Sequence, residues 1–287
     1  MAKRALAILA VAASAACAPP AAEAPAPAVR LYAMDCGRIE FPDVNIFADD
    51  GSMAGVARTL VDPCFLIRHP NGDLLWDAGF PDAIAAMPNG LQLPQMGGGV
   101  RVVMPASLTS QLAQLSLTPA DVEFISFSHM HADHTGNGNL FAASTWIVDA
   151  DERTAMFSDA ARADAQSFGA YNQLETANTQ LIEGDADHDV FGDGSVTIIQ
   201  APGHTPGHAV LLVRLPNAGP VLLTGDMFHL AETRERRLVP SFNVDRAQTL
   251  ASMDKVERIA TETGARVIRQ HVAQDIEALP RFPEALN

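Results

Sequence analysis

Ser128-His129-Met130-His131-Ala132-Asp133-His134, at the end of the apolar run VEFISFS (122–128), decides how this chain is read. With 9 His and 34 Asp+Glu in 287 residues, an H-x-H-x-[DE]-H string arises by chance in about one such sequence in a thousand. The cluster is therefore taken as functional. A loop leaving a strand can aim His129 and His131 the same way. Asp133 and His134 then turn toward an adjacent point, so one segment serves two neighbouring metal ions. Imidazole and carboxylate donors without a thiolate suit Zn2+ ahead of Mn2+, Co2+ or Fe2+.

Four ligands do not complete two sites, and the rest are sought at other strand ends. His204 follows SVTIIQAPG, Asp226 ends PVLLTGD, and His271 follows ARVIRQ. Each is the first polar, metal-competent residue after an apolar run, where an α/β sheet presents function. Of the remaining histidines, His208 in HTPGH is expected to support the turn, and His69 and His188 to lie at the surface. Gly203 and Gly207 fit tight backbone near metal.

Further out, apolar runs predict strands at 29–36, 64–69, 73–78, 122–128, 145–150, 195–201, 209–215, 220–226 and 265–270. Most are continuous, the pattern of strands covered on both faces. Helical spacing covers 107–116, 151–157, 159–173 and 245–263, the last with Asp245 as its cap. Strands cluster in each half, which predicts two packed sheets with helices outside in one domain, residues 29–287. Residues 41–58 and 80–106 carry Gly, Pro and scattered Met and Phe with little periodicity, as binding loops do. Cys36 and Cys64 sit in apolar, strand-like stretches. Buried thiols are expected there, with a disulfide as the alternative in an oxidising compartment.

Residues 1–28 stand apart. Lys3 and Arg4 precede the apolar residues 5–16, the layout of a secretory signal peptide, and PPAAEAPAPA continues as a Pro/Ala-rich spacer. The chain is expected to be exported, periplasmic or secreted. Ala15-Ala16-Cys17 resembles a lipoprotein box, a reading weakened by Ser14 where an aliphatic residue is usual; a membrane would enter only through a lipid anchor at Cys17. The 19 Lys+Arg against 34 Asp+Glu give a net charge of −15, which repels a phosphate backbone and argues against nucleic acid.

The order HxHxDH, His, Asp, His at 129–134, 204, 226 and 271 resembles the metallo-β-lactamase superfamily, over essentially all of residues 29–287. The resemblance implies the α/β class and an αβ/βα sandwich of two mixed β-sheets with helices outside, and a cleft holding two divalent metal ions. It implies His129, His131 and His204 on the first ion, Asp133, His134 and His271 on the second, and Asp226 bridging them. Asp226 argues against the true β-lactamases, which lack a bridging aspartate there. SHMHADHTGN, APGHTPGHAVLLV and VLLTGDMFH look most like the N-acyl-homoserine lactonases, especially exported ones. Glyoxalase II adds a basic tail to grip glutathione; after His271 only 16 residues (272–287) remain, with Arg281 the sole basic one.

One position departs from the pattern. Many homoserine lactonases carry Tyr three residues after the bridging Asp, and here it is His229. The implied reaction opens the lactone ring, which is quorum quenching. A metal-bridging hydroxide attacks, His229 steadies the oxyanion, and Asp133 carries a proton to the leaving alkoxide. The acyl lactone substrate would rest its chain on Phe47, Met53, Met87 or Met96. The rivals are a broad esterase, organophosphate-type or β-lactam hydrolase on the same fold, and a non-catalytic exported metal-binding protein. A homo-oligomer is left open.

Overall fold

In the computed structural model, which describes residues 28–96 and 98–287, the apolar runs pair into two mixed sheets. The first holds β1 (Arg30–Phe41), β2 (Arg58–His69), β3 (Gly72–Trp76), β4 (Leu91–Gln92), β5 (Arg101–Val103), β6 (Phe124–Ser126), β7 (Thr145–Asp149) and β8 (Thr179–Ile182), in the order β4-β5-β1-β2-β3-β6-β7-β8. The second holds β9 (His188–Asp189), β10 (Val196–Gln200), β11 (Ala209–Leu215), β12 (Gly219–Leu223) and β13 (Arg266–Ile268), in the order β13-β12-β11-β10-β9. The β3–β6–β7–β8 ladders and β12–β13 are parallel, and the others antiparallel. Eight α-helices accompany them among the described residues: α1 (Leu108–Gln114), α2 (Ala132–Thr135), α3 (Ala150–Met156), α4 (Asp159–Ala163), α5 (Ala165–Phe168), α6 (Ala231–Arg236), α7 (Arg246–Thr263) and α8 (Ala273–Glu277).

The continuous apolar runs follow from burial on both sheet faces. Phe65 and Ile67 of β2 join Trp76, Leu211 and Leu223 in the core between the sheets. Their neighbours Cys64 and Leu66 face the other way, onto Leu108 and Leu112 of α1 and Met156 of α3. Met253 and Val256 of α7 cover the outer face of the second sheet. The result is helix, sheet, sheet, helix, as the sequence predicts. No helix among the described residues is long and apolar enough to cross a membrane. The signal and spacer expected over 1–28 lie, Ala28 apart, outside the described residues.

Several expectations need correction. The helix predicted over 159–173 is two short helices, because Asp164 leaves helical geometry (φ −87°, ψ 81°) and its side chain accepts the Ser167 N–H. Local side-chain bonding of this kind competes with helix continuation. Segment 80–106 is less irregular than its composition suggests, since β4 and β5 extend the sheet beyond β1. His69 is not a surface residue. Its ring stacks on Phe191 at 4.0 Å and pairs with Asp193 at 2.9 Å, leaving the side chain 3% exposed. Cys36 and Cys64 are not free thiols but a disulfide, with Cα atoms 5.7 Å apart. Cys36 lies where the register of β1 is irregular, between Asp35 and Arg38, two positions beyond Met34, the strand partner of Cys64. Strand runs alone do not reveal such an irregularity.

Candidate metal centre

Each predicted metal ligand leaves a strand end on the same rim of the sandwich. After β6 the chain runs to His129, and His131 then caps α2, its carbonyl accepting the His134 and Thr135 N–H groups. This turn throws Asp133 and His134 toward a second point. His204 follows β10, Asp226 sits in a tight turn after β12, and His271 comes three residues after β13. The Asp226 turn requires glycine before it. Gly225 has φ +50°, and a Cβ there would lie 2.7 Å from Ser128 Cβ and 2.8 Å from His208 Nε2.

Two groups result that can each hold a metal ion: His129, His131, His204 and Asp226; and Asp133, His134 and His271. In the first, Nε2 of His129 and of His204 lie 2.8 and 3.2 Å from His131 Nδ1, and each lies 3.4 Å from Asp226 Oδ2. Donors about 2.0 Å from a tetrahedral ion are separated by about 3.3 Å, so these spacings fit one small cation. The other oxygen, Asp226 Oδ1, lies 2.7 Å from His271 Nε2 and 3.2 Å from His134 Nε2. Asp133 Oδ2 is 3.8 Å from both rings. Asp226 thus divides its oxygens between the groups. His134 Nε2, buried and without a hydrogen-bond partner, is a donor atom awaiting a ligand.

In the second group the far side of each ring is held. His134 Nδ1 donates to Asp77 Oδ2 (3.0 Å) and His271 Nδ1 to the Val61 carbonyl (2.8 Å), which leaves Nε2 of each free to ligate. Asp77, buried at φ +59°, also accepts the Ser128 N–H and the Gln270 amide. Gln270 in turn accepts the Gly225 N–H. On the other flank, Glu152 of α3 accepts the N–H of Met130 at 2.7 Å and of Gly207 at 2.8 Å, tying the two ligand loops together. His208 supports the turn as expected: its Nδ1 donates to the Ala201 carbonyl and its Nε2 accepts the Asp226 N–H. Gly203 and Gly207 are tightly packed, but against Thr249 and Asp149 rather than against the histidine cluster.

Burial decides the charge states. It pushes His131 down to about 3, with the neighbouring His204 adding to the effect, and so favours the neutral ring that a ligand must be. Burial also opposes charge on His271. There the Asp226 carboxylate 2.7 Å away outweighs it and raises the ring to about 9. Burial pushes Glu152 up to about 7 against its two backbone donors.

Above the cluster opens a cavity of about 630 Å3. His131, Asp133, Asp226, His229 and His271 form its floor. Ile39, Phe41, Leu60, Phe80, Ile84 and Leu93 make an apolar wall, and Asp164, Gln166 and Ser167 a polar strip. Of the predicted chain contacts, Phe47 and Met96 line the cavity. Met53 is buried in a neighbouring cluster, and the exposed Met87 does not line it. His229 stands at the floor with its ring stacked on Phe47 at 4.5 Å.

A family model described as the metallo-beta-lactamase superfamily matches residues 59–271. The chain belongs to the metallo-β-lactamase superfamily. Within this superfamily it is similar to the N-acyl homoserine lactonase AttM of Rhizobium radiobacter, at 33% identity over 90% of this chain and 97% of the relative. AttM of Azorhizobium caulinodans is 32% identical over the same shares. Among solved structures, a Bacillus thuringiensis AiiA variant with N-decanoyl-L-homoserine at its active site superposes with a TM-score of 0.75 at 23% identity, covering 90% of this chain and 99% of its own. These structures share the metallo-β-lactamase fold seen here.

Asp77, Glu152 and Gln270 were missed in the sequence. Asp77 had a signal, since it is the first polar residue after the apolar run LLW, the placement that singled out Asp226. Glu152 and Gln270 had none.

Proposed function

We propose that the protein is a dinuclear-metal N-acyl-homoserine lactonase, a quorum-quenching hydrolase that opens the lactone ring. The observation that carries this reading is Asp226, whose two oxygens face separate donor groups on the floor of a largely apolar cavity. The AttM relatives over most of the chain support it.

His129, His131 and His204 would hold one ion and Asp133, His134 and His271 the other, with Asp226 offering one oxygen to each group. Zn2+ suits five imidazoles and two carboxylates without thiolate. The ions supply water of lowered pKa and polarise the lactone carbonyl. The chain's own residues do the rest. His229 donates from Nε2 to the carbonyl oxygen as negative charge develops on it. Asp133 takes up a proton at its carboxylate and returns it to the ring oxygen that leaves, giving the hydroxyl of the N-acyl homoserine. The apolar wall holds the acyl chain and excludes water.

Export is part of the same proposal. Lys3 and Arg4 before the apolar residues 5–16 support it, as does a disulfide, a bond that persists in oxidising compartments. The deciding experiment is hydrolysis of N-acyl-homoserine lactones followed by product mass. Ring opening adds one water and releases no fragment; a released fragment, or turnover only of phosphotriesters or β-lactams, sinks the reading.

A further inference from the structure

The Cys36–Cys64 disulfide is not one of the candidate metal donors, and the proposed reaction does not use it. Its position is nevertheless specific. Both cysteines are fully buried, and the bond lies against the backbone of Gly79, where φ is +61°. A Cβ at Gly79 would meet Cys36 Cβ at 2.4 Å and the sulfurs of Cys64 and Cys36 at 3.0 and 3.1 Å. The loop 77–80 therefore rests directly on the disulfide.

The other side of that loop carries α2. The Ala78 N–H donates to the His134 carbonyl at 2.7 Å, and the Gly79 carbonyl accepts the Gly136 N–H at 2.8 Å. Asn137 Nδ2 donates to the carbonyls of Ala78 and Phe80 at 2.8 and 2.7 Å. Asp77, at the start of the loop, orients the His134 ring. Disulfide, loop and ligand helix are thus stacked in series. The first subsite shares part of this support, since Asp77 also accepts the Ser128 N–H beside His129, but its loops are held in addition from the opposite flank, where Glu152 accepts the N–H groups of Met130 and Gly207.

We propose that Cys36 and Cys64 are positioning residues for the second metal subsite: their disulfide supports the affinity of Asp133, His134 and His271 for an ion more than that of His129, His131 and His204, whose loops Glu152 also holds. The inference rests on the two-ion reading above. Residues that orient ligands from behind change metal affinity by about 10- to 100-fold, and a brace one step further back acts through the same contacts.

The test is zinc titration of chelator-stripped full chain against a competing chelator, with stoichiometry measured directly. Wild type is expected to take up two ions. Cys36→Ala/Cys64→Ala should weaken one of them at least tenfold. In a His271→Ala background, which keeps the donors of the first subsite, the same cysteine replacement should change affinity by a smaller factor, about threefold or less. Val213→Ala, in the core between the sheets, serves as a destabilised control and should leave both affinities intact. Equal loss at both subsites, no loss at either, or the same loss in Val213→Ala overturns the proposal. If the cysteine-free chain does not fold, Gly79→Ala decides, since it pushes the loop off an intact disulfide; unchanged second-ion affinity there overturns it. A wild type that binds no second ion rejects instead the two-ion reading.

Discussion

His229 Nε2 stands 2.9 Å from Asp226 Oδ2 without the alignment of a hydrogen bond. Its ring is sandwiched against Phe47 and lies parallel to His271. Burial lowers its pKa although Asp226 pulls the other way, which favours the neutral ring. A neutral imidazole fixed at the cavity floor is a donor available to a substrate oxygen.

His229→Ala should therefore lower kcat about 100-fold, the scale of one lost oxyanion donor, with metal content unchanged. His229→Tyr should recover much of the rate and remove any kinetic pKa due to the imidazole. Full kcat/KM in His229→Ala at full occupancy would reduce this side chain to part of the rim.

Asp226→Ala removes the carboxylate shared by both groups, and His131→Ala one donor of the first. Each should abolish lactone hydrolysis and lower bound metal below the two ions expected for wild type. Elemental analysis beside the rate checks this, and a variant with full metal and an intact rate contradicts the ligand assignment.

The apolar wall of Ile39, Leu60, Phe80 and Ile84 predicts a preference for long acyl chains. Each buried CH2 adds up to ~0.8 kcal/mol, about fourfold in kcat/KM. Rates should rise from butyryl to longer homoserine lactones until the cavity is filled, and Phe80→Ala should flatten the rise. A series independent of chain length would place the chain elsewhere.

Glu152 links stability to pH. Its pKa is raised from 4.5 to about 7 by burial, so between those values the folded chain keeps a proton that the unfolded chain releases. Stability then falls as pH rises through this window, by ~3 kcal/mol at most. Glu152→Gln should remove that slope. It also leaves one of the two backbone N–H groups unpaired, which costs about 1–3 kcal/mol. Denaturant titration of the metal-free chain across pH measures both; an unchanged slope in the variant rejects the assignment.

The sequence by itself determined the layering and picked out the residues that the fold gathers as candidate metal donors. Nine apolar runs became strands because a strand buried on both faces needs little else to be recognised, and seven metal-competent residues stood at their ends. His129 to His134 could be read from local spacing alone. His204, Asp226 and His271 could be read because each follows a strand that must end at the same rim.

Only the tertiary structure decided what holds those residues in place. Asp77 meets Gln270 across 193 positions of chain, and Glu152 meets Gly207 across 55. Such pairs depend on how the two sheets are offset, and no local pattern records that. The Cys36–Cys64 bond likewise joins two strands, at a point where the register of β1 is irregular. Met53 and Met87 were misplaced for the same reason: a hydrophobic residue in an irregular loop is equally at home in core or cavity, and the path of the loop alone selects between them.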